Sequence, residues 1–352
     1  MFIAGLGTAT PPNRYTQAQC WDALRGARQF SRLDGTAHAF LQRMLLRDNG
    51  IRTRHLALDS LDEVSEADAD TLHRRFAKHA PALASRAATD ALQQGNYQPR
   101  DIDAVIISTC TGYLCPGLTS YVAERLGLRP DIIALDLVGQ GCGAALPNLR
   151  TAEAFLSANR CETVLSVCVE VCSAALYLDN DPGVLISACL FGDGAGAAVL
   201  SAKPNLSSRR VEWKATSSLN NPAERDALRF EQRGGLLRNI LTPGVPQLAA
   251  QHAKLVLNDV LRSEGISHDE ISAWILHAGG RKVLAALRET LELTAADISW
   301  SSNVLSEFGN VSSPFVYFAL QAALQNNAPA GWWWMSAFGA GFSCHGAMLK
   351  VA

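Results

Sequence analysis

The chain has 352 residues, 48% apolar and 18% charged, a balance that suits a large globular core and excludes a disordered or fibrous polymer. A formal net charge of −2 gives no electrostatic pull toward nucleic acid or an anionic membrane. No apolar stretch reaches the roughly 18 residues that a spanning helix needs, and the opening MFIAGLGTATPPNRY lacks the basic and long apolar regions of a signal peptide, so a cytoplasmic protein is expected. Nine cysteines, an odd number, sit in apolar runs such as VLSVCVEVCSAAL without paired CxxC spacing. Buried, reduced thiols are therefore expected, and no metal site.

Residues 66–95 read as a long helical stretch with a break at Pro81. DIDAVIISTCTG, which follows, is apolar and β-rich and reads as a buried strand of a largely parallel sheet. A second strand, residues 131–138, ends in the turn GQGCG, and the helix after it carries Leu146, Leu149, Ala152, Phe155 and Leu156 at helical spacing. A third buried run covers residues 163–171, and FGDGAGAAVLSA turns tightly into a fourth strand.

The second half repeats this plan. AKLVLNDVLRSEG leads into DEISAWILHAGG much as ASRAATDALQQG leads into RDIDAVIISTCTG. Cys142 and Asn310 each follow a glycine at a strand-to-helix turn, 168 residues apart, and FGDGAGAAVL is echoed by FGAGFSCHGAML. These echoes predict an α/β protein of two pseudo-duplicated halves, residues 1–205 and 206–352, with a seam near 202–212.

Cys142 is the candidate nucleophile. A helix start offers unpaired N–H groups and partial positive charge that favour a thiolate, so a lowered thiol pKa is expected. Gly139, Gly141 and Gly143 permit the tight turn. Among eight histidines, only His277 directly follows a buried strand and precedes a glycine pair, at a carboxyl end of the kind where ligands bind. Asn310, at its own glycine-flanked helix start, places an amide donor near a carbonyl oxygen, with N-capping as its alternative use. His345 lies in a strand-like run and reads as structural, as does the run Trp332–Trp334.

GTATPP, TCTGYLCPGL, DLVGQGCGAA, LFGDGAGA, WILHAGG, SEFGNVSSP and SAFGAGF occur in the order found in type III, chalcone-synthase-like polyketide synthases, which this chain resembles from Gly5 to about Phe342. The resemblance implies the five-layer αβαβα thiolase fold, a homodimer, and no cofactor beyond coenzyme A thioesters as substrates: an acyl-CoA starter and malonyl-CoA. It implies that Cys142 carries the acyl chain, that His277 keeps it as thiolate, and that His277 and Asn310 stabilise the enolate formed when malonyl-CoA loses carbon dioxide. Backbone N–H groups near Cys142 and in the Gly339–Gly341 loop are candidates for a second oxyanion hole. Phe191 matches an aromatic gatekeeper, Ser312 a small cavity residue, and Arg43 and Arg47 two of the basic residues that hold the coenzyme A phosphates; the third basic position falls on Phe40.

Departures from the plant pattern concern the cavity. Cys110, Cys172 and Ala175 stand where plant chalcone synthases carry hydroxyl residues, Arg238 stands near the second gatekeeper phenylalanine, and Ala340 replaces the proline of the GFGPG loop. These changes make a flavonoid starter unlike the expectation and resemble bacterial members. Three other readings compete: a carrier-protein-dependent ketosynthase of the fatty-acid initiation type, a degradative thiolase with Cys344 as second cysteine, and a non-catalytic homologue acting as a binding subunit.

Overall fold

The computed structural model describes residues 1–205 and 209–352, so residues 206–208, at the expected boundary between the halves, lie outside the described residues. The first half runs β1 (Phe2–Ala9), β2 (Arg14–Thr16), α1 (Gln17–Gly26), α2 (Gly35–Leu46), β3 (Thr53–His55), α3 (Ala69–Gly95), β4 (Ala104–Thr109), α4 (Leu118–Leu126), β5 (Ile133–Val138), α5 (Ala145–Ser157), β6 (Thr163–Glu170), α6 (Pro182–Leu190) and β7 (Gly194–Ser201). The second runs β8 (Val211–Asn220), β9 (Leu228–Arg233), β10 (Leu236–Leu241), α7 (Val245–Glu264), β11 (Ile271–Leu276), α8 (Arg281–Thr290), α9 (Ser299–Phe308), α10 (Phe315–Gln325), β12 (Gly331–Gly339) and β13 (Ser343–Val351).

The duplication is written in the strand order. Nine strands pair as β11-β12-β13-β8-β1-β7-β6-β4-β5. Read outward from the centre, β1-β7-β6-β4 and β8-β13-β12-β11 are the same arm, each with two antiparallel junctions followed by a parallel one. The arms join where Phe2 and Ile3 pair antiparallel with Glu212 and Val211, and β5 extends the first arm alone among the described residues. Local chemistry repeats too. Helices α3 and α7 end on left-handed residues, Asn96 at φ 57° and Gly265 at φ 66°, which close the last turn. A one-turn 3₁₀ segment with a reciprocal capping box then leads into β4 in one half and β11 in the other.

Helices α5 and α10 lie between the two arms: α5 packs on β4 and β6 of its own half and on β12 and β13 of the other, while α10 packs on β11, β12, β1 and β7. Helices α3 and α4 cover the outer face of the first arm, and α7, with α8 packed on it, covers the second. The five-layer αβαβα arrangement follows. β4 and β6 are covered on both faces, which is why their sequences are continuous apolar runs without alternation.

The expected break at Pro81 does not occur; α3 is continuous from Ala69 to Gly95. Proline removes one intrahelical N–H, but Pro81 is itself buried and the packing of α3 on β1, β6 and β7 holds the helix on both sides of it. Ser85 donates to the Pro81 carbonyl at 2.8 Å. That packing is very close at Gly5, where a Cβ would fall on the carbonyl oxygen of Ala91 and within 2.9 Å of the Gly95 Cα. Because both obstacles are backbone, Gly5→Ala is expected to lower unfolding free energy by about 1–3 kcal/mol in urea denaturation; an unchanged midpoint would show that α3 can lift off β1 without penalty.

Candidate active site

Cys142 sits in a one-turn 3₁₀ segment, Gly141–Gly143, that leads into α5. Gly141 has φ 57°, and a Cβ there would come within 3.0 Å of the Ala340 nitrogen; one on Gly143 would come within 3.1 Å of the Gly339 nitrogen. The Cys142 turn is thus seated directly on the end of β12, as two glycines without side chains allow. Cys142 is 9% exposed, and its Sγ lies 3.2 Å from the Ser312 Oγ.

Asn310 occupies the equivalent position before α10. Its backbone N–H donates to the Leu190 carbonyl (2.8 Å) and its carbonyl accepts from Gly192 N–H (3.1 Å), so it is stitched to the strand-like residue Phe191. Its Oδ1 accepts from the Ser312 N–H at 2.9 Å, an Asx turn that supports Ser312 in the left-handed region at φ 58°. Its Nδ2 donates to the Gly279 carbonyl at a long 3.3 Å, leaving the second amide hydrogen uncommitted.

His277 follows β11 directly and is 1% exposed. Its backbone N–H donates to Ser336 O (2.9 Å), and its ring is wedged edge-on between Phe315 and Phe338, with centroids at 5.3 and 5.1 Å. Its Nε2 is buried without a hydrogen-bond partner. Phe338 therefore touches the imidazole while the next two residues carry the Cys142 turn, and Gly279 ties the His277 loop to Asn310. Cys142, Asn310 and His277 converge on one spot through these shared neighbours.

Burial sets the electrostatics. It pushes the Cys142 thiol up to about 12, with the Ser312 hydrogen bond opposing and the Glu170 charge adding to the rise. It pulls the His277 imidazole down to about 3. The lowered thiol pKa expected for a helix start is therefore not found: at this depth, loss of hydration outweighs the helix terminus and the resting pair is neutral.

Beside the pair opens a cavity of about 430 Å³, its mouth included, lined by Cys110, Cys172, Ala175, Phe191 and Ser312 together with Tyr177, Phe230, Leu237 and Asn239 among others. Arg238 is not among these residues. In β10 successive side chains alternate, so Leu237 and Asn239 face the cavity with Phe230 of β9, while Arg238 turns to the opposite face. There it is paired with Asp181, the N-cap of α6, and with Glu231 at 2.9 Å. Arg43 and Arg47 lie exposed at the end of α2, outside the cavity; the Arg43 guanidinium rests over the ring of Phe40 at 5.5 Å. Cys344 is buried on the face of β13 shared with Gly346, which lies against Val256 of α7, and so is turned away from Cys142.

Sequence reasoning passed over Glu170. This fully buried carboxyl accepts from Ser313 Oγ (2.6 Å), Thr111 Oγ1 (2.8 Å) and Cys110 N–H (3.0 Å), and burial raises its pKa. It fixes the segment carrying Ser312 against the segment carrying Cys110. The one visible signal was a carboxylate inside the apolar run TVLSVCVE.

The fold and the convergent cysteine, histidine and asparagine define a thiolase-fold condensing enzyme. The family described as FAE1/Type III polyketide synthase-like protein matches residues 9–223, and the chalcone and stilbene synthase C-terminal domain matches residues 222–351. The chain belongs to the type III polyketide synthases, acyltransferases that need no cofactor beyond their coenzyme A thioester substrates. It is 30% identical over 355 residues to the 1,3,6,8-tetrahydroxynaphthalene synthase of Streptomyces peucetius subsp. caesius, covering 99% of this chain and 92% of that protein. It is 30% identical to the 3,5-dihydroxyphenylacetyl-CoA synthase of Streptomyces toyocaensis (92% and 82% covered) and 29% identical to the alpha-pyrone synthesis polyketide synthase-like Pks18 of Mycobacterium tuberculosis (92% and 83%). Two solved structures share the fold at TM-score 0.89 and 23% identity: PKS-I from the brown alga Ectocarpus siliculosus (99% and 98% covered) and the C-terminal type III domain of Steely1 from Dictyostelium (99% and 99%). The main sequence reading stands, and the ketosynthase, thiolase and non-catalytic alternatives are not favoured.

Neutral burial of His277 has a consequence in acid. Unfolded, the ring binds its proton near 6.5; folded, only near 3, so between these values the unfolded state holds more protons and stability falls as pH falls. Relative to His277→Gln, the wild type is expected to lose roughly 2 kcal/mol between pH 7 and pH 5 in urea titrations. A constant difference would mean that the ring titrates in the native state as it does in the unfolded chain.

Proposed function

We propose that Cys142 is the acyl carrier of this synthase, with His277 as its base and Asn310 as its enolate-stabilising partner. The observation that carries this is the orphaned His277 Nε2, buried in the same enclosed spot as the Cys142 thiol and an amide with a spare hydrogen. A buried acceptor without a partner is unfavourable unless a substrate or a transferred proton completes it.

In the proposed sequence, Cys142 Sγ attacks the starter thioester carbonyl and its proton passes to His277 Nε2. The thioester C–S bond breaks, and coenzyme A leaves as a thiolate that takes its proton from solvent, so His277 keeps the hydrogen on Nε2. Neither group is charged in the resting state, so thiolate and imidazolium form together, each offsetting the other's loss of hydration. Malonyl-CoA then loses carbon dioxide; the bonding pair becomes an enolate whose oxygen accepts from His277 Nε2–H and Asn310 Nδ2–H. The enolate carbon attacks the Cys142 thioester and expels the thiolate, which reloads for the next extension. Arg43 and Arg47, exposed and carrying no ion pair among the described residues, are proposed to hold the coenzyme A phosphates, as the resemblance implies. The cavity wall, which includes Cys110, Ala175, Phe191 and Leu237, is proposed to fold the extended chain toward an aromatic or pyrone product. The reading as a cytoplasmic enzyme draws on nine unpaired cysteines.

Mass spectrometry of the protein with malonyl-CoA and a panel of acyl-CoA starters tests the assignment. Acyl mass is expected on the Cys142 peptide and absent in Cys142→Ala, which should keep its fold; Asn310→Ala should release carbon dioxide from malonyl-CoA at least tenfold more slowly. Product formation by Cys142→Ala would remove it as carrier.

We further propose a homodimer joined at β5. This strand ends the sheet, pairs only with β4 among the described residues, and exposes Ile133 (40%) and Val138 (58%). A second copy aligned antiparallel would continue the sheet and cover both side chains, whereas a free apolar edge invites aggregation. Ile133→Lys with Val138→Lys is expected to give a monomer in sedimentation; an unchanged mass would place the contact elsewhere.

A further inference from the structure

The cavity wall carries a polar atom that the condensation chemistry above does not use. Asn239 is 3% exposed and lines the cavity from β10, and its Oδ1 is buried with no partner. Its Nδ2 donates to the Ser187 Oγ of α6 at 2.9 Å. The orientation of this amide follows from chemistry. Ser187 Oγ spends its only hydrogen on the Gly183 carbonyl at 2.8 Å, so it presents lone pairs to Asn239, and only the NH₂ end of the amide can meet them. Oδ1 is left as an acceptor with nothing to accept.

The residue is also fixed in place. A Cβ on Gly183 would fall on the Asn239 carbonyl, so β10 rests on α6 backbone to backbone. On the other face of the ribbon Arg238 pairs with Asp181, which caps α6 by accepting from the Gly183 and Val184 N–H groups. The ribbon grips the start of α6 from both faces, and Asn239 cannot swing away to find water or another donor. Leu176, Val184, Phe230 and Leu237 of the same wall carry no side-chain donor, and the Tyr177 hydroxyl, also on the wall, does not bond Oδ1.

Resting on the synthase reading, we infer that Asn239 is a specificity-determining residue whose Oδ1 accepts a hydrogen bond from a hydroxyl on the acyl chain held in this cavity. Two sources share that chemistry: a hydroxyl already on the starter, and the enol hydroxyl of a β-keto unit formed during extension. A buried acceptor left unsatisfied disfavours a chain that lacks the donor, so the site selects by rejection as much as by attraction.

The test compares matched starters, phenylacetyl-CoA against 4-hydroxyphenylacetyl-CoA and hexanoyl-CoA against 6-hydroxyhexanoyl-CoA, each with malonyl-CoA. If the starter supplies the donor, the wild type favours the hydroxylated member of at least one pair by about tenfold or more in kcat/KM, and Asn239→Leu collapses that ratio toward one. If the extended chain supplies it, the starter ratio stays near one, but Asn239→Leu changes the proportion of lactone to carbocyclic product from the unhydroxylated starters. Ser187→Ala, which frees the amide to rotate, should weaken whichever effect is seen and answers the question if Asn239→Leu fails to fold. Wild-type turnover with no change in either ratio on Asn239→Leu or Ser187→Ala would overturn the inference. Absence of condensation with every starter would instead overturn the synthase reading.

Discussion

Two helix N-termini meet in a layer that water does not reach, and the chemistry of this chain depends on that meeting. The start of α5 brings Cys142, the start of α10 brings Asn310 and Ser312, and the sheets on either side remove solvent from all three. The same burial that brings the groups together holds the thiol protonated and the imidazole neutral. A site of this kind is quiet until a substrate arrives. In the proposed mechanism, charge appears only as a proton moves from one buried group to another, within an environment whose dipoles are already in place.

The pseudo-twofold arrangement explains why the partners are placed so securely. Each arm of the sheet carries its own helix into the middle layer, and each helix also packs on the opposite arm. Each helix start is held by both halves, because part of its covering surface belongs to the other half. Glu170 completes this cross-bracing by tying Ser313, from the second half, to Cys110 and Thr111, from the first.

Much of this was legible in the residues. The repeated strand–glycine–helix turn exposed the duplication and singled out Cys142 and Asn310, because a tight turn needs glycine wherever it recurs. His277 stood out for the same reason: it directly follows a buried strand. Other features depended on information that a one-dimensional reading lacks. The thiol pKa was expected to fall because a helix start is visible in sequence, whereas the depth of burial that reverses the shift comes from both sheets together. Pro81 was expected to break its helix because proline is visible, whereas the packing that keeps α3 whole comes from β1, β6 and β7. Arg238 was placed at the cavity by position, and strand alternation turned it outward while Asn239 turned in. Glu170 went unnoticed because its partners are scattered between Thr109 and Ser313.

The β9–β10 ribbon belongs to neither arm of the sheet; among the described residues its strands pair with each other alone. Replacing Leu237 or Phe230 on its inner face reshapes one wall of the cavity without removing a hydrogen bond of the nine-stranded sheet. On the proposed reading, the fold thereby separates the residues proposed for bond formation from one wall of the cavity that holds the chain. The wall of the cavity can therefore change within residues 228–241 while the strands that carry the Cys142 and His277 turns keep their pairing.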